Sequence, residues 1–143
     1  MRDKRALAMA LAGRGLTAAS AGMADQARTL GRDSLVMMEE SGDIAGVSVS
    51  TVNLAVAELL LTNLPAALIW LDRALTVFPI PGGHRSLGWL HLIRAHVLRQ
   101  LGDVDRCTKS AAAAQTVFAQ LGERRGLIAV QRICKEGAPS LPA

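Results

Sequence analysis

The chain predicts an all-α fold, a right-handed superhelical stack of antiparallel helix pairs (an α-solenoid) with about seven helices. Gly42, Gly82 and Gly122 are each 40 residues apart, and three small residues recur at offsets of 12 and 7. Hydrophobic residues make up 50% of the chain but aromatic residues only 3%, which favours closely packed helices over a β-sandwich. The recurring small residues are Gly15, Ala27 and Ser34; Ala55, Ala67 and Ala74; and Ala95, Cys107 and Ala114.

The 40-residue period defines the expected domain organisation. We expect one repeat domain over residues 1–136, and a disordered tail over residues 137–143, which contains two prolines. The domain divides into units 3–42, 43–82 and 83–122, followed by a capping helix over 123–136. An irregular, alanine-rich helical bundle is the alternative.

Each unit is expected to hold two helices joined by a short turn. In the first unit, the sequence predicts helices over residues 2–21 and 23–40. In the second, a helix over 44–62 is followed by one that Asn63 caps, with Pro65 in its first turn. In the third, helices over 85–101 and 104–121 meet at Asp103, the expected N-cap, and Gly122 ends the second. A seventh helix over 123–135 closes the series.

Charge and cysteine content bear on the partners and the cellular compartment that we expect for the chain. The formal net charge is +4, and it is uneven, since residues 1–71 carry −1 and residues 72–143 carry +5. Cys107 occupies a small packing position, and two cysteines imply no disulfide framework, which favours the cytoplasm. The N-terminus superficially resembles a signal peptide, but Asp3 and Arg14 interrupt that pattern, so we interpret it as the first helix.

The spacing of small residues resembles the tetratricopeptide repeat (TPR), whose paired helices pack through small side chains. Ala55, Ala67, Ala74 and Pro79 match its three small positions and its closing proline. The 40-residue unit resembles the longer TPR-like arrays of bacterial transcriptional regulators and signalling ATPases. The residues that carry this second likeness are Ala114, Phe118, Leu121 and Gly122, followed by Glu123 and Gly126.

The resemblance implies a noncatalytic protein–protein interaction module, the scaffold or sensor part of a bacterial regulatory system. In the family, the first helix of each pair lines a concave groove that binds a peptide or helix. Transferred to this chain, the groove positions are Met9, Ala12 and Leu16 in the first unit; Val49, Val52, Asn53, Val56 and Leu60 in the second; and Trp89, Leu92, Ile93, His96 and Arg99 in the third. Of these, the expected partner-binding residues are Val49, Asn53, Val56, Leu60, Trp89, Leu92, His96 and Arg99. The alternative for Trp89 and the valines is packing between helices.

Other functions stay open as alternatives. The chain could be a ligand-sensing domain of a transcriptional regulator that takes a small hydrophobic molecule or signalling peptide. Self-association through the N-terminal helix is a further expectation. Direct DNA binding through the basic C-terminal half is a less favoured alternative to a set of solvated helix faces. The segment 45–52 resembles a helix-turn-helix, but it follows the acidic residues Glu39, Glu40 and Asp43, so we do not expect it to contact DNA.

Catalytic and metal-binding patterns are not found in the sequence. His91 and His96 are five residues apart, which places them about 140° apart around a helix. The chain has no GxSxG, Walker or CxxC motif. We therefore expect no enzymatic activity, no cofactor, no metal and no membrane insertion.

Overall fold

The structure, a computed structural model, describes residues 22–76 and 83–135. These residues form six α-helices and no strand, which confirms the all-α class. The predicted helix over residues 2–21 and the predicted tail over 137–143 lie outside the described residues. The helices are α1 Ala24–Ser41, α2 Ile44–Leu60, α3 Leu64–Thr76, α4 Gly83–Gln100, α5 Val104–Leu121 and α6 Arg124–Lys135.

The helix starts follow the 40-residue interval. Helices α1, α3 and α5 begin at Ala24, Leu64 and Val104, each 40 residues after the last. Helices α2, α4 and α6 begin at residues 44, 83 and 124. The bounds predicted for α1, α2, α4, α5 and α6 agree with those of the structure to within two residues.

The described linkers share one backbone geometry. The residue just past a helix has a positive φ in each of them: 71° at Gly42, 56° at Thr62, 82° at Gly102 and 64° at Gly122. The next N–H donates to the carbonyl five residues back, as in Asp43 to Met38 at 3.0 Å. This is the Schellman arrangement, which satisfies carbonyls that the end of a helix leaves unpaired. The same turn therefore reverses the chain after α1, α2, α4 and α5.

Two aspartates begin the helices that follow these turns. The Asp43 carboxylate accepts from the Gly46 N–H at 3.0 Å, and Asp103 accepts from the Arg106 N–H at 3.1 Å. Each bond satisfies an N–H that the first turn of a helix leaves without an intrahelical partner. The prediction that Asp103 is an N-cap is confirmed.

The chain divides into two compact units, Met1–Pro81 and Gly82–Ala143. In the first, α2 packs against both α1 and α3. The buried side chains include Met38, Leu54 and Leu71. Met38 lies over Gly46, where a Cβ would overlap its side chain, and Leu54 lies over Gly31. Close approach of α1 to α2 therefore depends on two glycines.

In the second unit, α4, α5 and α6 pack against one another. Phe118 of α5 is fully buried at their centre. Its ring lies against Gly88 of α4 and Gly126 of α6, and a Cβ on Gly88 would lie 2.6 Å from the Phe118 Cε1 atom. Phe118 and Gly126 stand 80 residues after Met38 and Gly46. In each unit, therefore, a large side chain packs against a glycine at the same repeat position.

Candidate functional site

Helix α2 presents a stripe of aliphatic side chains on one face. Val49, Val52 and Val56 are half-buried, and Leu60 is 51% exposed. Their spacing of three and four residues places them along one side of the helix. All four lie at predicted groove positions. Unit 1 therefore has an accessible apolar surface at these predicted positions.

Asn53 has a different environment from these neighbours. Its residue surface is only 7% exposed, and its side chain already takes part in an interaction. A buried amide with a partner contributes to packing within the unit and is not presented to a peptide. We therefore remove Asn53 from the predicted lining of the groove.

Helix α4 carries the corresponding stripe of the second unit. Trp89, Ile93 and His96 are half-buried at a spacing of four and three residues, and Arg99 is half-buried one turn further on. Leu92 is only 6% exposed and belongs to the core, so it too leaves the predicted lining. Ile93, which the predicted register also places in the groove, is the accessible aliphatic side chain of this face.

Trp89 has contacts on the inner side of its helix. Its ring meets the Phe118 ring edge to face, with centroids 5.1 Å apart and planes inclined at 64°. Aromatic pairs at this separation and angle attract each other beyond the area they bury. Trp89 thus supports the core of its unit and is only partly available to a partner.

Two histidines of α4 are held in the neutral form. Burial lowers the pKa of His96 below 6.5, and the positive charge of Arg99 lowers it further. Burial and then Arg94 lower the pKa of His91 in the same direction. Desolvation and a nearby cation both disfavour the imidazolium. Near pH 7, His96 therefore offers the half-exposed face of α4 a neutral ring that can accept or donate one hydrogen bond.

A row of buried polar residues on α2 was not predicted. Ser48, Ser50, Thr51 and Glu58 are all at or below 1% exposure. The Ser50 hydroxyl lies 2.7 Å from that of Ser34 in α1, and the Thr51 hydroxyl donates to the Ser48 carbonyl at 2.8 Å. The Ser34–Ser50 bond therefore joins α1 to α2, whereas the Thr51 bond stays within α2 and the buried Ser48 hydroxyl has no hydrogen-bond partner within the described residues.

Glu58 is the most unusual member of this row. Its Oε1 atom lies 3.5 Å from the Nη1 atom of Arg28, and its Oε2 atom has no hydrogen-bond partner within the described part of the chain. A buried carboxylate is costly unless it is paired. Arg28 is the cation that neutralises it, and Arg28 also contacts the exposed Asp25 at 3.4 Å.

Metal-binding and membrane-spanning features were searched over the described ranges 22–76 and 83–135. No group of three His, Cys, Asp or Glu side chains there is arranged to hold a metal ion. None of the helices in those ranges combines the length and apolar character needed to cross a bilayer.

Over residues 22–76 and 83–135 the protein is all-helical, and α1, α3 and α5 begin 40 residues apart. Comparison of the chain with protein-family models, with curated proteins and with solved structures finds no match. The function is therefore argued from the surfaces of the chain itself.

Proposed function

We propose that this chain is a noncatalytic protein-interaction module of TPR type, in which helix pairs form an α-solenoid. The 40-residue interval between helix starts and the identical turns between helices support this architecture. So does the recurrence of the Met38–Gly46 contact as Phe118–Gly126. In such arrays each unit repeats one supersecondary element and presents the same face along the series.

The recurrence of a half-exposed face at one repeat position carries the proposal. Val49 and Val56 of α2 stand 40 residues before Trp89 and His96 of α4, and all four are half-buried. Three of the four, Val49, Val56 and Trp89, are apolar, and an apolar surface that stays partly accessible can bind a partner. A helix or extended peptide with apolar side chains fits these stripes, because apolar anchors supply most of the affinity in such grooves.

The biological role that we propose rests on the resemblance to the TPR-like arrays of bacterial regulators. The chain acts as the scaffold or sensor part of a bacterial regulatory system. Cys107 is a buried thiol, in keeping with a reducing cytoplasm.

The proposal is tested by peptide selection against the immobilised full chain, followed by affinity measurements on variants. Ile93→Glu places a charge on the α4 stripe and is expected to weaken the selected peptides by about 10-fold or more. Thr116→Glu, on the exposed face of α5, is the matched control and is expected to bind as the parent does. Equal binding by both variants, or no selectable peptide, would contradict the proposal.

A further inference from the structure

Helix α6 has two contrasting faces. Gly126 and Val130 are buried on its inner face. Arg125, Ile128 and Arg132 are exposed on the other, at a spacing of three and four residues, and Ile128 is 51% exposed. We call these three residues the α6 outer face. The α6 outer face thus combines one exposed aliphatic side chain with two positive charges.

The repeat register shows why the α6 outer face is uncovered. Ile128 stands 40 residues after Gly88 and 80 after Ser48, both of which are buried. Gly88 is small because the Phe118 ring of the following helix lies on it. At the equivalent place in α6 the residue is large and exposed. The outer face is thus the position at which a further helix would pack in a continuing stack.

Helix α1 exposes one aliphatic side chain between two carboxylates, so its charge is opposite to that of the α6 outer face. Asp33, Val36 and Glu40 are exposed at the same spacing of three and four residues, and Val36 is 54% exposed. We call them the α1 outer face. Glu40 already takes part in an interaction, so Asp33 is the carboxylate on which pairing with an arginine depends.

The two described ranges differ in charge in the same sense as the two outer faces, because the range that contains α1 is acidic and the range that contains α6 is basic. Residues 22–76 contain seven acidic and three basic residues, whereas residues 83–135 contain nine basic and three acidic residues. Opposite fields of this kind favour encounter between an acidic surface on one molecule and a basic surface on another.

We propose that the α6 outer face binds the α1 outer face of a second copy of this chain. Ile128 packs against Val36, Arg125 pairs with Asp33, and Arg132 lies beside Glu40, with the two helices parallel. Because the two faces differ, the contact is heterologous and joins copies head to tail. A surface of this size gives weak association that increases with protein concentration. This inference is independent of the peptide-binding stripes on α2 and α4.

The test is sedimentation velocity on the full chain over a wide concentration range, with charge-reversal variants. Arg125→Glu and Asp33→Arg each place like charges across the contact, so each is expected to weaken self-association by about 10-fold. An equimolar mixture of the two variants is expected to regain association, because the glutamate introduced at position 125 of one variant meets the arginine introduced at position 33 of the other, and the unchanged Arg125 and Asp33 meet at the next contact. Lys109→Glu, which changes the net charge as Arg125→Glu does but lies on α5, is expected to associate as the parent does.

Further conditions separate this contact from other modes of association. Ile128→Asp is expected to abolish association, and Ile93→Glu on the α4 stripe to leave it unchanged. Association should also weaken at about 1 M salt, where charges are screened over ~3 Å. A parent chain that is monomeric at every concentration would overturn the proposal. So would association that persists in Arg125→Glu, or a mixture of the two charge variants that stays monomeric.

Discussion

At the scale of single residues, the largest buried side chain of each unit rests on a glycine. Phe118 contacts Gly88 and Gly126, and Met38 contacts Gly46. Protein interiors are packed at crystal-like density, so a methyl group added at such a contact must displace its neighbour. The steric pairing of Met38 with Gly46 recurs 80 residues later as that of Phe118 with Gly126, so a packing contact accompanies the pattern of small residues in both units.

Gly126→Ala is expected to destabilise the chain by about 1–3 kcal/mol, because its Cβ would overlap the Phe118 ring. The free energy of unfolding, measured by urea denaturation, checks this. The double variant Gly126→Ala/Phe118→Leu should lose less than the sum of the two single losses, since the smaller side chain relieves the overlap. Additive losses would mean that the two positions do not meet.

The Arg28–Glu58 pair yields a second prediction at this scale. Arg28→Met removes the cation that faces a buried carboxylate and is expected to cost about 1–3 kcal/mol of unfolding free energy. Arg28→Met/Glu58→Met should recover most of that loss, because both charges are then absent. Asp25→Asn, which alters only the exposed partner of Arg28, is the control and should change stability by less than about 0.5 kcal/mol. A neutral Arg28→Met would show that the pair contributes nothing.

At the scale of helices, sequence reasoning was most successful at their ends. The turn glycines Gly42, Gly102 and Gly122 and the cap Asp103 predicted bounds that the structure reproduces to within two residues. Such signals are local, since a turn or cap depends on a few adjacent residues. The faces of the helices were harder to predict. Asn53 and Leu92 are buried although their spacing suggested exposure, because burial depends on which neighbouring helix covers each position.

Thr62 is the exception among the turn residues and leads to the third prediction. It has a φ of 56°, a conformation that costs a β-branched residue about 1–2 kcal/mol. Thr62→Gly is therefore expected to stabilise the chain by about 0.5–1 kcal/mol, after allowing for the greater freedom of glycine in the unfolded state. Gly102→Thr, the reverse change in the equivalent turn, should destabilise it. Thermal and urea unfolding check both, and a loss of stability in Thr62→Gly would contradict the strain argument.

At the scale of the whole chain, the 40-residue period could be predicted from the sequence, because small residues and turn glycines recur at matching positions in successive helix pairs. The exposure of individual side chains was only partly predictable. Val49, Val56, Trp89 and His96 are half-buried, whereas the exposure of the α6 outer face was not anticipated. Its significance depends on comparing Ile128 with Gly88, and that comparison requires knowing that Phe118 covers Gly88. The exposure of a side chain depends on which helices pack over it. The spacing of residues in a single sequence does not show this.

The division into two compact units leads to the last prediction. Phe118 packs within its own unit, on α4 and α6, so removing its ring should loosen that unit first. Phe118→Ala is expected to cost about 3–5 kcal/mol and to speed amide hydrogen exchange in α4, α5 and α6 far more than in α1, α2 and α3. In repeat proteins, contacts reach only neighbouring elements, so damage stays local unless the units unfold together. Hydrogen exchange followed by mass spectrometry on proteolytic fragments resolves the six helices. Gly46→Ala, which crowds Met38 in the other unit, is the matched control and should reverse the pattern. An equal loss of protection in all six helices for both variants would show that the chain unfolds as a single cooperative body.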